Sequence, residues 1–230
     1  MKHEKQRSPF LPLFAVLLAM AVLNGALVLV RAEMTSTTAI LVLYYACSLL
    51  SLFGTMIFLG AALFYLSRQM AGISCRILLL GEVISLIPLL AAAVRTAFDY
   101  PDYFTDTLVT EILMALGNTI LMMGIHLALL LLSHLLYFRK APAFGMPRIS
   151  LRHTRQGLAN FTVVSVLFVY QIVAETITTV DFVTTYWPNV YRNEIASIVF
   201  SYIYIVISLL LGYFIQYLTQ AFLYEAYQES

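Results

Sequence analysis

Ionisable and amide side chains inside long apolar runs are the groups of this sequence placed to do chemistry, because a charge at the centre of a membrane-spanning helix costs about 2.5–3.5 kcal/mol on insertion scales. Glu82 lies nine residues into the apolar run that starts at Ile73, which at 1.5 Å per residue is about 14 Å deep. Asn118, on the next run, lies about 16 Å from the opposite side, so two polar groups are expected at matching depth on consecutive antiparallel helices. A carboxyl there either donates a proton to Asn118 or is ionised and holds a cation; both are proton or ion chemistry. The competing structural reading is an interhelical hydrogen bond worth about 1 kcal/mol. Pro88, six residues further along, removes one backbone hydrogen bond and supplies a bend or an exposed carbonyl beside the carboxyl.

A second group is expected nearer the outer side: Asn24, Arg95, Glu111, Gln171 and Glu175. Gln171, Glu175 and Thr179 are spaced by four, which puts them on one helix face flanked by Thr178, a stripe suited to a polar cavity wall. Arg95 is expected to pair with Glu175 or Glu111, since a guanidinium fork matches a carboxylate or an anionic ligand. An interfacial ion pair with snorkelling side chains is the alternative.

No other chemistry stands out. His126 and His134 are eight apart and about 80° out of line around a helix, which suits neither metal nor haem, and His126 reads as a lone interhelical hydrogen-bonding group. There is no His-Glu-x-x-His, Gly-x-Ser-x-Gly, Walker loop or Cys-x-x-Cys, so no catalytic residue, metal or cofactor is expected. Cys47 and Cys75 fall at different depths and read as small buried residues outside any disulfide. Asn160-Phe161-Thr162 matches a glycosylation sequon but is expected on the cytoplasmic side, unmodified.

The elements that must position these groups follow from composition. The 230 residues are 61% hydrophobic and 11% charged with a mean hydropathy of +0.88, far more apolar than a water-soluble domain. Six runs are long enough to cross a bilayer core of about 30 Å: about 10–30, 38–66, 73–97, 107–138, 158–180 and 195–224. The expected fold is therefore all-α, a polytopic membrane protein with six transmembrane helices in three antiparallel hairpins. It forms one domain over 1–230 with no room for a soluble module. A net charge of +1, with no basic run interleaved with aromatics, excludes nucleic acid as a partner.

Orientation follows from basic residues in short loops. Lys2, Lys5, Arg7, Arg68, Arg76, Arg139, Lys140, Arg148, Arg152 and Arg155 share one side, and only Arg31, Arg95 and Arg192 the other, which places both termini in the cytoplasm. Val30-Arg31-Ala32 superficially matches a signal cleavage site, but the apolar run before it is about 20 residues where a signal peptide uses about 7–15. The link 139–156, with Pro142, Gly145, Pro147 and five basic residues, reads as a topogenic connection lying against anionic headgroups. Short loops favour a bacterial cytoplasmic membrane.

Together these residues point to a polar cavity opening outward between spans one, three, four and five, in a small-solute or ion transporter or its membrane-embedded binding subunit. The alternative is a membrane-embedded sensor or assembly subunit of a larger complex, docking a membrane or cytosolic partner protein through its long inner helix ends and tyrosine-rich last span. An intramembrane lipid-modifying enzyme comes third, lacking a nucleophile or metal partner for either carboxyl.

Overall fold

A computed structural model describes residues 10–139, 155–186 and 192–228, and the expected link 139–156 lies almost wholly outside them. The chain forms α1 (Phe10–Ala32), α2 (Thr37–Ser67), α3 (Ala71–Asp99), a 3-10 turn (Pro101–Tyr103), α4 (Phe104–Ser133) continued by a π-helical turn (His134–Phe138), α5 (Arg155–Tyr186) and α6 (Arg192–Gln228). All six α-helices are long and apolar enough to span a membrane, and the described residues contain no strand. The helical state is what such a sequence must adopt in lipid, where each backbone N–H and C=O has to be satisfied within its own segment.

Each hairpin pair, α1 with α2, α3 with α4 and α5 with α6, packs together, and α3 also packs on α1 and α2. The organising element is α2. From Met56 to Leu66 almost every one of its residues is buried, so this half of the helix has no lipid-facing side. It sits between α1 and α3 on one flank and α6 on the other, with lesser contacts to α4, its π-helical turn and α5. Lipid gives little hydrophobic drive for helices to associate, so close van der Waals approach must supply it. Gly60 provides one such approach: a side chain there would lie 3.2 Å from the Gln216 backbone of α6. Gly81 provides another, since a Cβ at that position would overlap the Phe58 ring.

Two expectations change. Span five, read as 158–180, is a helix of 32 residues reaching Tyr186, about 48 Å long, so it exceeds the hydrocarbon core. Helical hydrogen bonding continues past the apolar run because its polar end residues keep helical geometry where water begins. Cys47 is buried as expected, but Cys75 is exposed, because its face of α3 is turned away from α2 while Ser74 beside it is buried and donates to the Ala62 carbonyl of α2.

Candidate functional site

The two most deeply placed titratable groups of the bundle meet each other. Glu82 on α3 and His126 on α4 are 3% and 2% exposed, and the carboxylate Oε1 pairs with the imidazole Nδ1. The sequence reading that His126 is a lone group is thereby corrected, as is the expectation that Asn118 is the hydrogen-bonding partner of Glu82. The physical reason is side-chain lean. Each Cα–Cβ bond tilts toward its helix N-terminus, so on antiparallel helices Glu82 reaches toward the α2–α3 end while His126 reaches back toward the α3–α4 end. Residues of equal Cα depth therefore lean apart, and the carboxyl finds a partner eight residues, about 12 Å, beyond Asn118.

Packing holds this pair in place. The Phe58 ring of α2 meets the imidazole edge-on, with centroids 5.5 Å apart and planes at 73°, and Phe58 itself lies against Gly81, next to Glu82 in the chain. The Ser85 hydroxyl donates to the Glu82 backbone carbonyl at 2.7 Å. With the Nδ1 atom engaged, the His126 Nε2 is buried with no hydrogen-bonding partner among the described residues.

The pair forms the floor of a cavity of about 350 Å³, a size within the usual range of small-molecule sites. Its walls come from α1, α2, α3 and α4. Asn24 contributes from α1, Ser48, Ser51 and Thr55 from α2, Pro88 from α3, and Asn118 and Thr119 from α4, with Arg31 and Tyr44 toward the end where α1 joins α2. Asn24 is 3% exposed and donates through Nδ2 to Ser51 at 2.7 Å, while its Oδ1 is left without a partner among the described residues. A second space of about 340 Å³ adjoins the first and shares Ser48, Ser51, Thr55, Met122 and His126 with it. Its further walls are Tyr170 and Gln171 of α5 and Tyr204 and Ser208 of α6. The imidazole thus stands where the two spaces adjoin.

Of the six residues singled out from sequence, Glu82 and Asn118 line the first space and Gln171 the second. Arg95 is elsewhere. It bridges Glu33, at 2.5 Å, and Asp99, at 3.1 Å, with about a third of its side chain exposed, so its expected pairing with Glu175 or Glu111 is corrected. The cause is the packing of α1 on α3, which brings the residue following α1 to the end of α3 and fastens the two helices with a pair of the exposed kind, worth about 0–1 kcal/mol. Glu111 and Glu175 are half-buried, line neither space, and make no ion pair among the described residues. The expected cavity walls are corrected accordingly: α2 is central to both spaces, whereas α5 contributes only to the second.

Several residues of the site escaped sequence reading. The hydroxyls Ser48, Ser51 and Thr55 follow the i, i+3, i+7 spacing of one helix face, a signal present in the sequence but masked by the uniformly apolar run around it. Tyr204 and Ser208 carry the same signal on α6. Away from these spaces, Asn160 and Gln220 exchange two amide hydrogen bonds of 3.0 and 2.7 Å between α5 and α6, which encloses the sequon asparagine in the bundle. Gln216, one turn earlier on α6, is fully buried beside Gly60.

A carboxyl and an imidazole joined through Nδ1 share one proton and are neutral overall whichever of them carries it. In that neutral state the imidazole carries a hydrogen at Nε2, so the pair can lose a proton there and regain it at the lone pair left behind. The arrangement holds the groups that proton exchange at a buried pair requires, and hydroxyl and amide groups along the walls able to hydrogen-bond a small guest. Among the described residues no three His, Cys, Asp or Glu side chains gather into a metal-binding group. The chain matches no family model, no curated protein and no solved structure, so the fold and this site carry the functional argument by themselves.

Proposed function

We propose that this integral multi-pass membrane protein is a transporter of a small solute or ion, in which the Glu82–His126 pair takes up and releases a proton as the cavity above it is filled and emptied. The observation that supports it is the burial of an acid–base pair at the floor of a polar cavity in the middle of six apolar helices. Intramembrane ionisable residues are costly, and they are found where a proton or solute pathway makes use of them. Asn118 and the hydroxyl stripe of α2 supply the hydrogen bonds a guest needs once it leaves water.

Proton flux into proteoliposomes loaded with a pH-sensitive dye tests this reading. With a pH gradient imposed across the vesicle, Glu82→Gln is expected to reduce protein-dependent flux at least tenfold, since the amide keeps the shape and loses the proton. Unchanged flux removes the role given to the carboxyl.

A second reading is a membrane-embedded sensor or assembly subunit. It is favoured by α6, which runs 37 residues, about 55 Å, and among the described residues packs chiefly on α2 and α5. Mass analysis in mild detergent separates the two, because a stoichiometric partner chain supports the subunit reading and a lone protein supports the transporter.

A further inference from the structure

We infer that Arg31 is the anion-recognition residue of the cavity and that its guest is a small organic monoanion, a carboxylate on a body that carries a hydrogen-bond donor. The inference rests on the reading that the cavity admits a solute, and it specifies the chemical class of that solute.

Charge balance is the first ground. Among the described residues lining the first space, the side chains able to carry charge near neutral pH are Arg31, Glu82 and His126, Tyr44 and Cys47 being neutral there, and the second space adds only the neutral phenols Tyr170 and Tyr204 to His126. In the protonation state that leaves Glu82 and His126 neutral as a pair, the wall carries the single positive charge of Arg31. A guanidinium stays protonated at every working pH. In a space walled largely by membrane-spanning helices, that charge is best balanced by one negative charge on the guest.

The second ground is that Arg31 has no carboxylate of its own among the described residues. Glu33, two residues along the chain from it, and Asp99 both sit on Arg95. Arg31 instead stacks its guanidinium over the Tyr44 ring, 5.6 Å from the centroid, and is half-buried with no ion pair among the described residues. A contact with a ring face uses none of the guanidinium N–H groups, and their fork is the geometry that grips a carboxylate with two parallel hydrogen bonds.

The third ground lies deeper in the cavity. Asn24 is two turns from Arg31 on the same face of α1, about 10 Å further in. Its Oδ1 is an acceptor in a side chain that is 97% buried, and it has no donor among the described residues, whereas its Nδ2 is already spent on Ser51. Buried acceptors are satisfied in folded proteins. A guest that places an O–H or N–H several ångströms from its carboxylate satisfies this one, once the Asn24 amide turns its Oδ1 to the cavity it lines, while its anionic end stays with Arg31. Apolar wall residues such as Val28 and Leu89 suit a short hydrocarbon body between the two ends.

The test uses three probes with one shared body: 4-hydroxyphenylacetate, its neutral amide, and the cationic amine 4-hydroxyphenethylamine, joined by benzoate and butyrate as simpler carboxylates. Thermal unfolding of the full chain in detergent, at constant ionic strength with chloride as the balancing anion, reads binding as a saturable rise in Tm. The expected result is that the hydroxy-acid binds at least tenfold more tightly than its amide and that the amine gives no shift. Arg31→Gln is expected to abolish the preference for the acid. Arg31→Lys is expected to retain part of it, and Arg76→Gln, on an exposed face of α3 remote from the cavity, all of it. Equal binding of acid, amide and amine overturns the inference. So does undiminished binding of the acid to Arg31→Gln, and so does the absence of any shift with all three carboxylates. Arg31-dependent binding alongside flux that ignores Glu82→Gln leaves the inference standing and defeats the transport reading instead.

Discussion

Removing either member of the Glu82–His126 pair should cost more than removing both. Glu82→Met and His126→Leu keep side-chain volume nearly constant, so the cavity term stays small and the electrostatic term dominates. In His126→Leu a carboxyl that is 97% buried loses its partner; breaking a buried pair costs about 3–5 kcal/mol, and the lower figure applies because the acid can take up a proton from water. In Glu82→Met the imidazole is left buried with an unmet Nδ1, at about 1–3 kcal/mol. The double variant replaces a desolvated pair by two apolar groups in an already apolar bundle, a change expected within about 1 kcal/mol of neutral. The singles then sum to at least ~4 kcal/mol where the double loses ~1, a coupling of roughly 3 kcal/mol, well beyond the scatter of about 0.3–0.5 kcal/mol between independent sites. Equilibrium unfolding in mixed micelles of rising dodecyl sulfate fraction, followed by circular dichroism, measures all four corners of the cycle. A double variant whose loss equals the sum of the singles refutes the pairing of these two side chains and with it the floor of the site.

Two further predictions test the surroundings. Gly81→Ala forces the added methyl into Phe58 and is expected to destabilise by about 1–3 kcal/mol; a neutral Gly81→Ala measured by the same unfolding assay contradicts the close approach of α2 and α3. Membrane-impermeant maleimide is expected to modify Cys75 and spare the buried Cys47, and to do so in inverted vesicles rather than intact cells if the basic loops lie in the cytoplasm; labelling from the outer face reverses the orientation.

The identity of the elements was legible because each span must satisfy its own backbone and its own hydropathy. The runs around Leu13, Leu59, Ile84, Leu129, Val163 and Ile205 are apolar enough to announce themselves, and a carboxyl such as Glu82 in the midst of one is conspicuous for the same energetic reason. Depth along a helix axis was legible too, to within a turn or two, from the fixed rise per residue. Partners were not. Arg95 stood within reach of several acids by depth, and the choice of Glu33 and Asp99 required knowing that α1 lies against α3. The stripe Ser48, Ser51 and Thr55 gained its meaning only when α2 proved to be the helix around which the others gather.

By itself the sequence determined that this chain is a bundle of six apolar helices with a carboxyl near mid-depth, since both facts depend on local composition counted along one axis. Only the tertiary structure decided that Glu82 meets His126 rather than Asn118, that Arg31 rather than Arg95 borders the cavity, and that α2 forms its central wall. Those outcomes depend on rotation about each helix axis and on the direction in which side chains lean, and a helix that is apolar all round leaves its rotation to be set by the packing of its neighbours.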